Sequence, residues 1–360
     1  MSSLSTSIVK TIVNNSLAPP SGLSLQEWLG YYGFTETEAT TEYYIKYLSS
    51  ETLKMDKTNK LYNIPIWDAF RSRFSSKSKK QKGEIGLEIE CEGMNLFGAP
   101  IQYWSCHNDG SLRNYKDHPP IEYVLREPIE RSEVPKALTY LSKKLKEAGS
   151  EIAYSPRTSV HVHVNCQDLT LKQIYQYICL YLIFEERLVE FSGPDRIGNL
   201  FCLRAKDAEH FLTVMESAIQ TENFNEFFSN ELRYTSCNTA SLGKFGSLEF
   251  RSMRGTVDQE LIQLWVDILL CLKDKALDYD NPVEIVEDFL DLGTENFLVK
   301  VFGSRKDILP IFIDWPDRHR SMWDGLRMMR DVAYAIKWEK QNKELLTKKK
   351  RARKASLKSV

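Results

Sequence analysis

Three short stretches hold the residues best suited to chemistry: GLEIECEG at 86–93, SVHVHVN at 159–165 and GSLEFRSMRGT at 246–256. Each alternates apolar residues with charged or imidazole-bearing ones, the period-2 pattern of a β-strand. Glu88 and Glu90 therefore share one face, as do His161, His163 and Asn165, and likewise Glu249 and Arg251. Carboxylates at i and i+2 lie about 7 Å apart on a strand and can reach one or two hard cations from the same side. Buried together without a cation they would repel, and one would have to protonate. An isolated Glu-x-Glu also fits a solvated strand face, and Glu92 continues that face as part of such an edge.

His161 and His163 form an HxH pair, a frequent metal-ligand arrangement, although a satisfied core or surface pair has the same spacing. One imidazole among carboxylates suits Mg2+ or Mn2+, whereas several lean toward zinc or iron. Glu249 and Arg251 set a potential ligand beside a guanidinium; Arg254 follows at a turn, and Gly255–Thr256 lead into a helix whose N-terminus favours anions. Arginines bind phosphate in bidentate fashion and stabilise charge developing in phosphoryl transfer. A cross-strand Glu–Arg salt bridge is the purely structural alternative.

The elements that must position these residues read as α+β. The opposite faces of the three strands carry core-type residues: Leu87, Ile89 and Cys91; Val160, Val162 and Val164; Leu248 and Phe250. Half-polar strands suit a sheet with one face open to a cleft, whereas parallel strands read as continuous apolar runs. NDGS at 108–111 is a turn signal, and IEYVLREPI at 121–129 reads as a strand stopped by Pro128. Helices are expected over Ser132–Ala148, from Asp168 or Thr170 to Phe191, after Thr256 or Asp258, over Val283–Leu292, and from Trp323 to Leu346. Residues 1–70 read as mostly helical, with RSRFSSKSKKQKG at 71–83 as a polar, basic linker. From Lys348 the tail KKKRARKASLKSV lacks apolar periodicity and is expected to be disordered.

Composition narrows the function. The chain has 360 residues, 42% hydrophobic and 27% charged, enough for one large domain or two of moderate size. A net charge of −1 gives no bulk attraction to nucleic acid or membrane. The basic tail is the one place where nucleic acid contact is conceivable, but no aromatic residue lies within it to stack on bases, and a solvated or partner-binding tail is favoured. Seven scattered cysteines form no CxxC pair, which fits reduced thiols in a cytoplasmic interior rather than a zinc cage or disulfide framework. A signal peptide and a membrane span are not expected. No P-loop, nucleophile elbow or dinucleotide fingerprint occurs, so any nucleotide would be held through metals and arginines. Cys106 precedes His107, but neighbours on a strand seldom face each other.

Taken in order, these pieces resemble the amidoligase family within the glutamine synthetase-like carboxylate–amine ligases. The matching elements are GLEIE, the turn NDGSL followed by the Glu of IEYVLREPI, SVHVHVN, FSGPDRIGNLF, RYTSCNTA, and LEFRSMRGTVD leading to a Trp-containing helix, over roughly residues 83–275. The resemblance implies a curved, mainly antiparallel sheet with helices against its apolar face, and a catalytic domain over 83–280. Residues 1–82 would be a helical region and linker, 281–346 a helical extension and 347–360 the tail.

It further implies that Glu88, Glu90, Glu122 and Glu249 ligate divalent cations with one of the two histidines, taken as His161. His163 would sit near the nucleotide phosphates. Arg251 would touch phosphate, with Arg254 and Arg196 as further anion contacts. Asp109 and Ser111 match the DGS turn, and Asn165 and Asn238 the polar sheet positions. Ser159–Val160 stand where the family usually has a Gly before HxH.

The implied reaction is ATP-dependent amide formation with Mg2+ or Mn2+, joining a carboxylate to an amine of small-molecule or peptide origin. A homo-oligomer is possible, since ring assembly occurs among distant relatives. The competing readings are a metal-dependent hydrolase using HxH plus carboxylates, and a non-catalytic binding protein of the ligase fold.

Overall fold

The computed structural model describes residues 61–74, 79–93, 100–116, 118–149, 152–208 and 210–338. Most of the expected N-terminal helical region, and the basic tail, lie outside the described residues. Six strands form one open antiparallel sheet: β1 (Ile85–Cys91), β2 (Trp104–Asn108), β3 (Ile121–Leu125), β4 (Ser159–Asn165), β5 (Cys237–Asn238) and β6 (Ser247–Arg254). Their order is β2-β3-β1-β4-β6-β5, and every pair is antiparallel, as the half-polar strands require.

The alternation sets the two faces. Ile85, Leu87, Ile89 and Cys91 of β1, Val160, Val162 and Val164 of β4, and Leu248, Phe250 and Met253 of β6 are buried in the core. The register then lines up the polar face: Glu88 opposite His161, Glu90 opposite Glu122, and His163 opposite Glu249.

Between β4 and β6 the register slips. Val160 pairs with Met253 but Val162 with Phe250, so two steps on β4 oppose three on β6. This β-bulge carries one extra residue. Strict alternation would place Met253 with Glu249 and Arg251; the bulge turns Met253 into the core and leaves Arg254 in step with the polar side.

Helices α1 (Val134–Glu147), α2 (Leu171–Ser192), α3 (Phe211–Thr221), α4 (Ala240–Lys244), α5 (Gln259–Ala276), α6 (Pro282–Phe302), α7 (Leu309–Ile313) and α8 (Arg318–Ala333), with a single α-helical turn at Ile66–Ala69 and short 3-10 turns, complete the described chain. The long α2 opens on a capping box between Thr170 and Gln173, satisfying amides that would otherwise lack partners. Tyr177 and Tyr181 of α2 pack on Phe250, with ring centroids 5.4 and 5.0 Å away. Gly325 lets α8 approach α2 closely, since a Cβ there would run into the Leu182 carbonyl. Asp258 caps α5 by accepting from the amides of Glu260 and Leu261.

Two helical expectations change. The helix expected over Val283–Leu292 does not stop there: Gly293, at φ 68°, kinks the chain and the helix resumes to Phe302. The one expected from Trp323 begins earlier, at Arg318, and ends at Ala333. The chain then folds back, with the Trp338 indole donating to the Ala333 carbonyl and packing against Tyr62 and Tyr175. Burying that aromatic ring competes with continuing the helix.

Residues 61–74 dock on the sheet layer rather than standing apart. Ile66 and Trp67 donate backbone hydrogen bonds to the carbonyls of Leu169 and Gln167, and Ile66, Phe70 and Phe74 are buried. Among the described residues, no helix is long and apolar enough to cross a membrane.

Candidate active site

The polar face gathers Glu88, Glu90, Glu122, His161, His163, Glu249 and Arg251, drawn from four strands. His161 is nearly inaccessible, and its two ring nitrogens have different neighbours. Nε2 lies 2.6 Å from Ser159 Oγ, whose hydroxyl is 2.6 Å from Glu90 Oε2. The serine has one proton, and the carboxylate can only accept it. The ring must therefore donate from Nε2, which fixes the tautomer. In the neutral ring Nδ1 then presents a lone pair 3.0 Å from Glu88 Oε2 and 3.5 Å from Glu249 Oε1. Such a lone pair facing two carboxylates needs a proton or a metal cation between them, and a ring proton on Nδ1 would donate to Glu88.

His163 presents the same need. Its Nδ1 lies 3.1 Å from Ser247 Oγ, while its buried Nε2 sits 3.2 Å from Glu88 Oε1 without a hydrogen bond of acceptable geometry. Burial lowers the pKa of this ring, but Glu88 and Glu249 outweigh it and raise the balance.

The carboxylates divide by environment. Burial would raise Glu88, yet His163 and His161 hold it well below the usual range. Burial likewise opposes ionisation of Glu249, but His163, Arg251 and His161 bring it down to about 2. Arg251 Nη1 pairs with Glu249 Oε1, and Asn238 and Ser241 each donate to Oε2 at 2.7 Å. Glu122 goes the other way: burial, then Glu88, Glu90 and Asp109, push it up to about 8. Three groups place their ligand atoms within 4.8 Å of one another: Glu88/Glu122/His161, Glu88/His163/Glu249 and Glu90/Asp109/Glu122. Carboxylate oxygens with one or two imidazoles, an orphaned buried nitrogen and a carboxyl forced to keep its proton form a donor set suited to Mg2+ or Mn2+.

Other expected site residues lie elsewhere in the architecture. Arg196, expected as an anion contact, is fully buried, and its donors go to the carbonyls of Ser252 (2.9 Å), Arg251 (2.9 Å), Pro156 (3.2 Å) and Thr158 (3.4 Å). It satisfies carbonyls at the β6 bulge and the facing turn, so its charge does not face the site. Asn165, expected at the nucleotide, ties the chain before β1 to β4 by donating to the carbonyls of Gly83 and Gln81, although it also lines the cavity below. Asn238 holds Glu249 in place rather than offering its amide to a ligand. Arg254 Nη1 donates to the Ser192 carbonyl at the end of α2. Glu92, expected at a solvated edge, is buried and accepts from the Arg113 amide and Ser155 Oγ.

Ser159 and Ser241 escaped the sequence reading, although Ser159 falls on the same alternating face as His161. Asp109 entered only as part of a turn; its place beside Glu90 and Glu122 depends on how β2 pairs with β3.

A cavity of about 270 Å3 opens at one end of this face, beside Gly86, Glu88 and His163. Trp67, Phe74 and Phe245 give it aromatic walls, and Lys79, Arg126 and Lys244 give it positive charge. Trp67 and Phe74 stack on each other, with centroids 4.8 Å apart.

An open antiparallel sheet with carboxylates, imidazoles and an arginine on one face, and helices on the other, defines an α+β protein with a candidate site on its polar face. Residues 104–273 match the family described as "putative amidoligase enzyme", so this part of the chain is similar to that family. The match includes Glu122, His161, His163, Glu249 and Arg251. Glu88 and Glu90 lie just before it, joined to the matched region by the β1 pairings. No curated protein matches the chain.

Proposed function

We propose that the protein is an ATP-dependent carboxylate–amine ligase that forms an amide through an acyl phosphate. The observation that carries this reading is the Ser159–His161 hydrogen bond, which aims Nδ1 at Glu88 and Glu249 in the region that matches the amidoligase family. Glu88, Glu90, Glu122, His161 and Glu249 would hold the cations, with Asp109 within reach of Glu90 and Glu122. Bound Mg2+ or Mn2+ would supply charge neutralisation for the triphosphate.

The aromatic, positively charged cavity suits the nucleotide, with its base against Trp67 or Phe245 and its phosphates running past His163 toward Arg251. A substrate carboxylate oxygen then attacks the γ-phosphorus, the bond to the bridging oxygen breaks, and ADP leaves. An amine nitrogen attacks the acyl carbon, the C–O bond to phosphate breaks, and the nitrogen gives a proton to solvent or the departing phosphate. Arg251 stabilises charge on the transferred group, while the buried floor orients both partners. Seven free cysteines, six of them buried, fit a reducing cytoplasm.

The test is ADP release with Mg2+ or Mn2+ across a panel of carboxylates and amines, in wild type, Glu90→Ala and Arg251→Ala. Release that requires a carboxylate–amine pair and vanishes in both variants supports the ligase. Metal-dependent hydrolysis of a test substrate without ATP favours the hydrolase instead.

A further inference from the structure

The polar face has a second end, opposite the cavity. Along β1 it runs from Gly86 at the cavity through Glu88 and Glu90 to Glu92, about 20 Å at the usual strand rise. Arg157 lies at this far end. Its amide donates to Ser155 Oγ, and that serine in turn donates to Glu92. Nη1 donates to the Ser111 carbonyl at 3.1 Å, and its guanidinium carbon lies 5.3 Å from the centre of the Phe201 ring.

The two residues it touches lead back to the floor. The Ser111 amide donates to Asp109, a member of the Glu90/Asp109/Glu122 group. The Phe201 carbonyl accepts from Nε of Arg251. Arg157 therefore stands across the end of the site, between the turn that carries Asp109 and the loop that braces Arg251. Among the described residues its guanidinium meets a carbonyl and an aromatic face and pairs with no carboxylate. A guanidinium placed on an aromatic face is oriented and weakly hydrated, with donors left to take an oxyanion in bidentate fashion.

We infer that Arg157 and Phe201 form an acid-substrate subsite, and that the substrate carries a second anionic group besides the carboxyl that reacts. This rests on the ligase reading: the reacting carboxyl must lie beside Arg251 and the candidate cation groups, with Arg157 beyond them at the end of the face. A second carboxylate, separated from the first by a few methylenes, reaches the free guanidinium. Phe201 and Tyr234, with centroids 6.2 Å apart, provide an apolar wall for the carbons between.

The experiment measures binding of malonate, succinate, glutarate and adipate, with butyrate as the single-carboxylate control, by calorimetry on the full chain. Each is titrated with and without Mg2+ and a non-hydrolysable ATP analogue, in wild type, Arg157→Ala and Arg157→Lys. At least one dicarboxylate is expected to bind wild type about tenfold or more tighter than butyrate, the size of a charged hydrogen bond. Arg157→Ala should erase that preference and leave the affinity for the nucleotide analogue unchanged, which also reports an intact fold. Arg157→Lys should recover part of it. A preference that survives in Arg157→Ala, or its absence from wild type, overturns the subsite. Dicarboxylate binding that needs Arg157 but coincides with no nucleotide binding keeps the subsite and removes the ligase reading.

Discussion

Glu90 on β1 and Glu122 on β3 are direct register partners, two carboxylates opposed across an antiparallel pair. Like charges directly opposite destabilise a sheet, and Glu122 is the member that keeps its proton, pushed up to about 8 by burial and by Glu88, Glu90 and Asp109. A cation arriving here must displace that proton. Mg2+ or Mn2+ binding near pH 7 should release about one proton per protein, and apparent affinity should rise as pH approaches 8. Calorimetry in two buffers of different ionisation heat measures the release. Glu122→Gln should abolish it, and an unchanged buffer dependence in that variant would sink the assignment.

Ser159 should matter through His161 rather than by touching a ligand. Ser159→Ala removes the acceptor for Nε2–H and frees the ring to change tautomer, which should weaken Mn2+ binding by about 10- to 100-fold, the usual effect of losing a supporting partner. His161→Ala should weaken it further. Electron paramagnetic resonance of free Mn2+ reports both; equal affinities in wild type and Ser159→Ala would refute the relay.

Arg196 and Arg251 should separate cleanly. Arg196→Met removes the donors to four carbonyls, of which Pro156 and Thr158 keep Asn199 and the Gly255 amide, and should cost on the order of 3 kcal/mol in stability. Arg251→Lys keeps a positive charge but loses the planar fork, so it should lower turnover by more than tenfold with little change in melting temperature. Thermal denaturation beside ADP release distinguishes them, and the reverse pattern would exchange their roles.

Glu185 gives a pH dependence remote from the cation groups. It is buried in α2, accepts from Ser236 Oγ and the Ala205 amide, and is raised to about 7 chiefly by burial. A raised acid binds its proton more tightly when folded, so its stabilising effect is complete below about pH 4.5 and is lost as pH rises to about 7. Across that window wild type should lose on the order of 3 kcal/mol relative to Glu185→Gln. Denaturant midpoints for the pair from pH 5 to 8 check this; parallel curves would contradict it.

Much of the site was legible because alternation carries two messages at once. The residues that fix a strand's apolar face also fix which side chains meet on the other, so Glu88, His161 and Glu249 converge as their spacing implied. The partners of Arg196 and Asn238 were not legible for a physical reason: an arginine or asparagine near charged residues has the same appearance in sequence whether its donors face a ligand, a backbone carbonyl or a neighbouring carboxylate. The Trp67 and Phe74 walls depend on a segment docking from well before the sheet, and the phase change on β6 depends on a bulge. Neither leaves a periodic trace.

That bulge makes the polar face sensitive to strand register as well as residue identity. Pairing β6 in strict alternation, with every residue kept, would exchange the places of Met253 and Arg254. A thioether would face the cation groups while a guanidinium was forced into the core. Arg196 guards against this by bonding the two carbonyls at the slip, so it acts on the site by keeping count of the strand. A one-residue slip of β6 against β4 should therefore be as damaging as losing a side chain of the polar face.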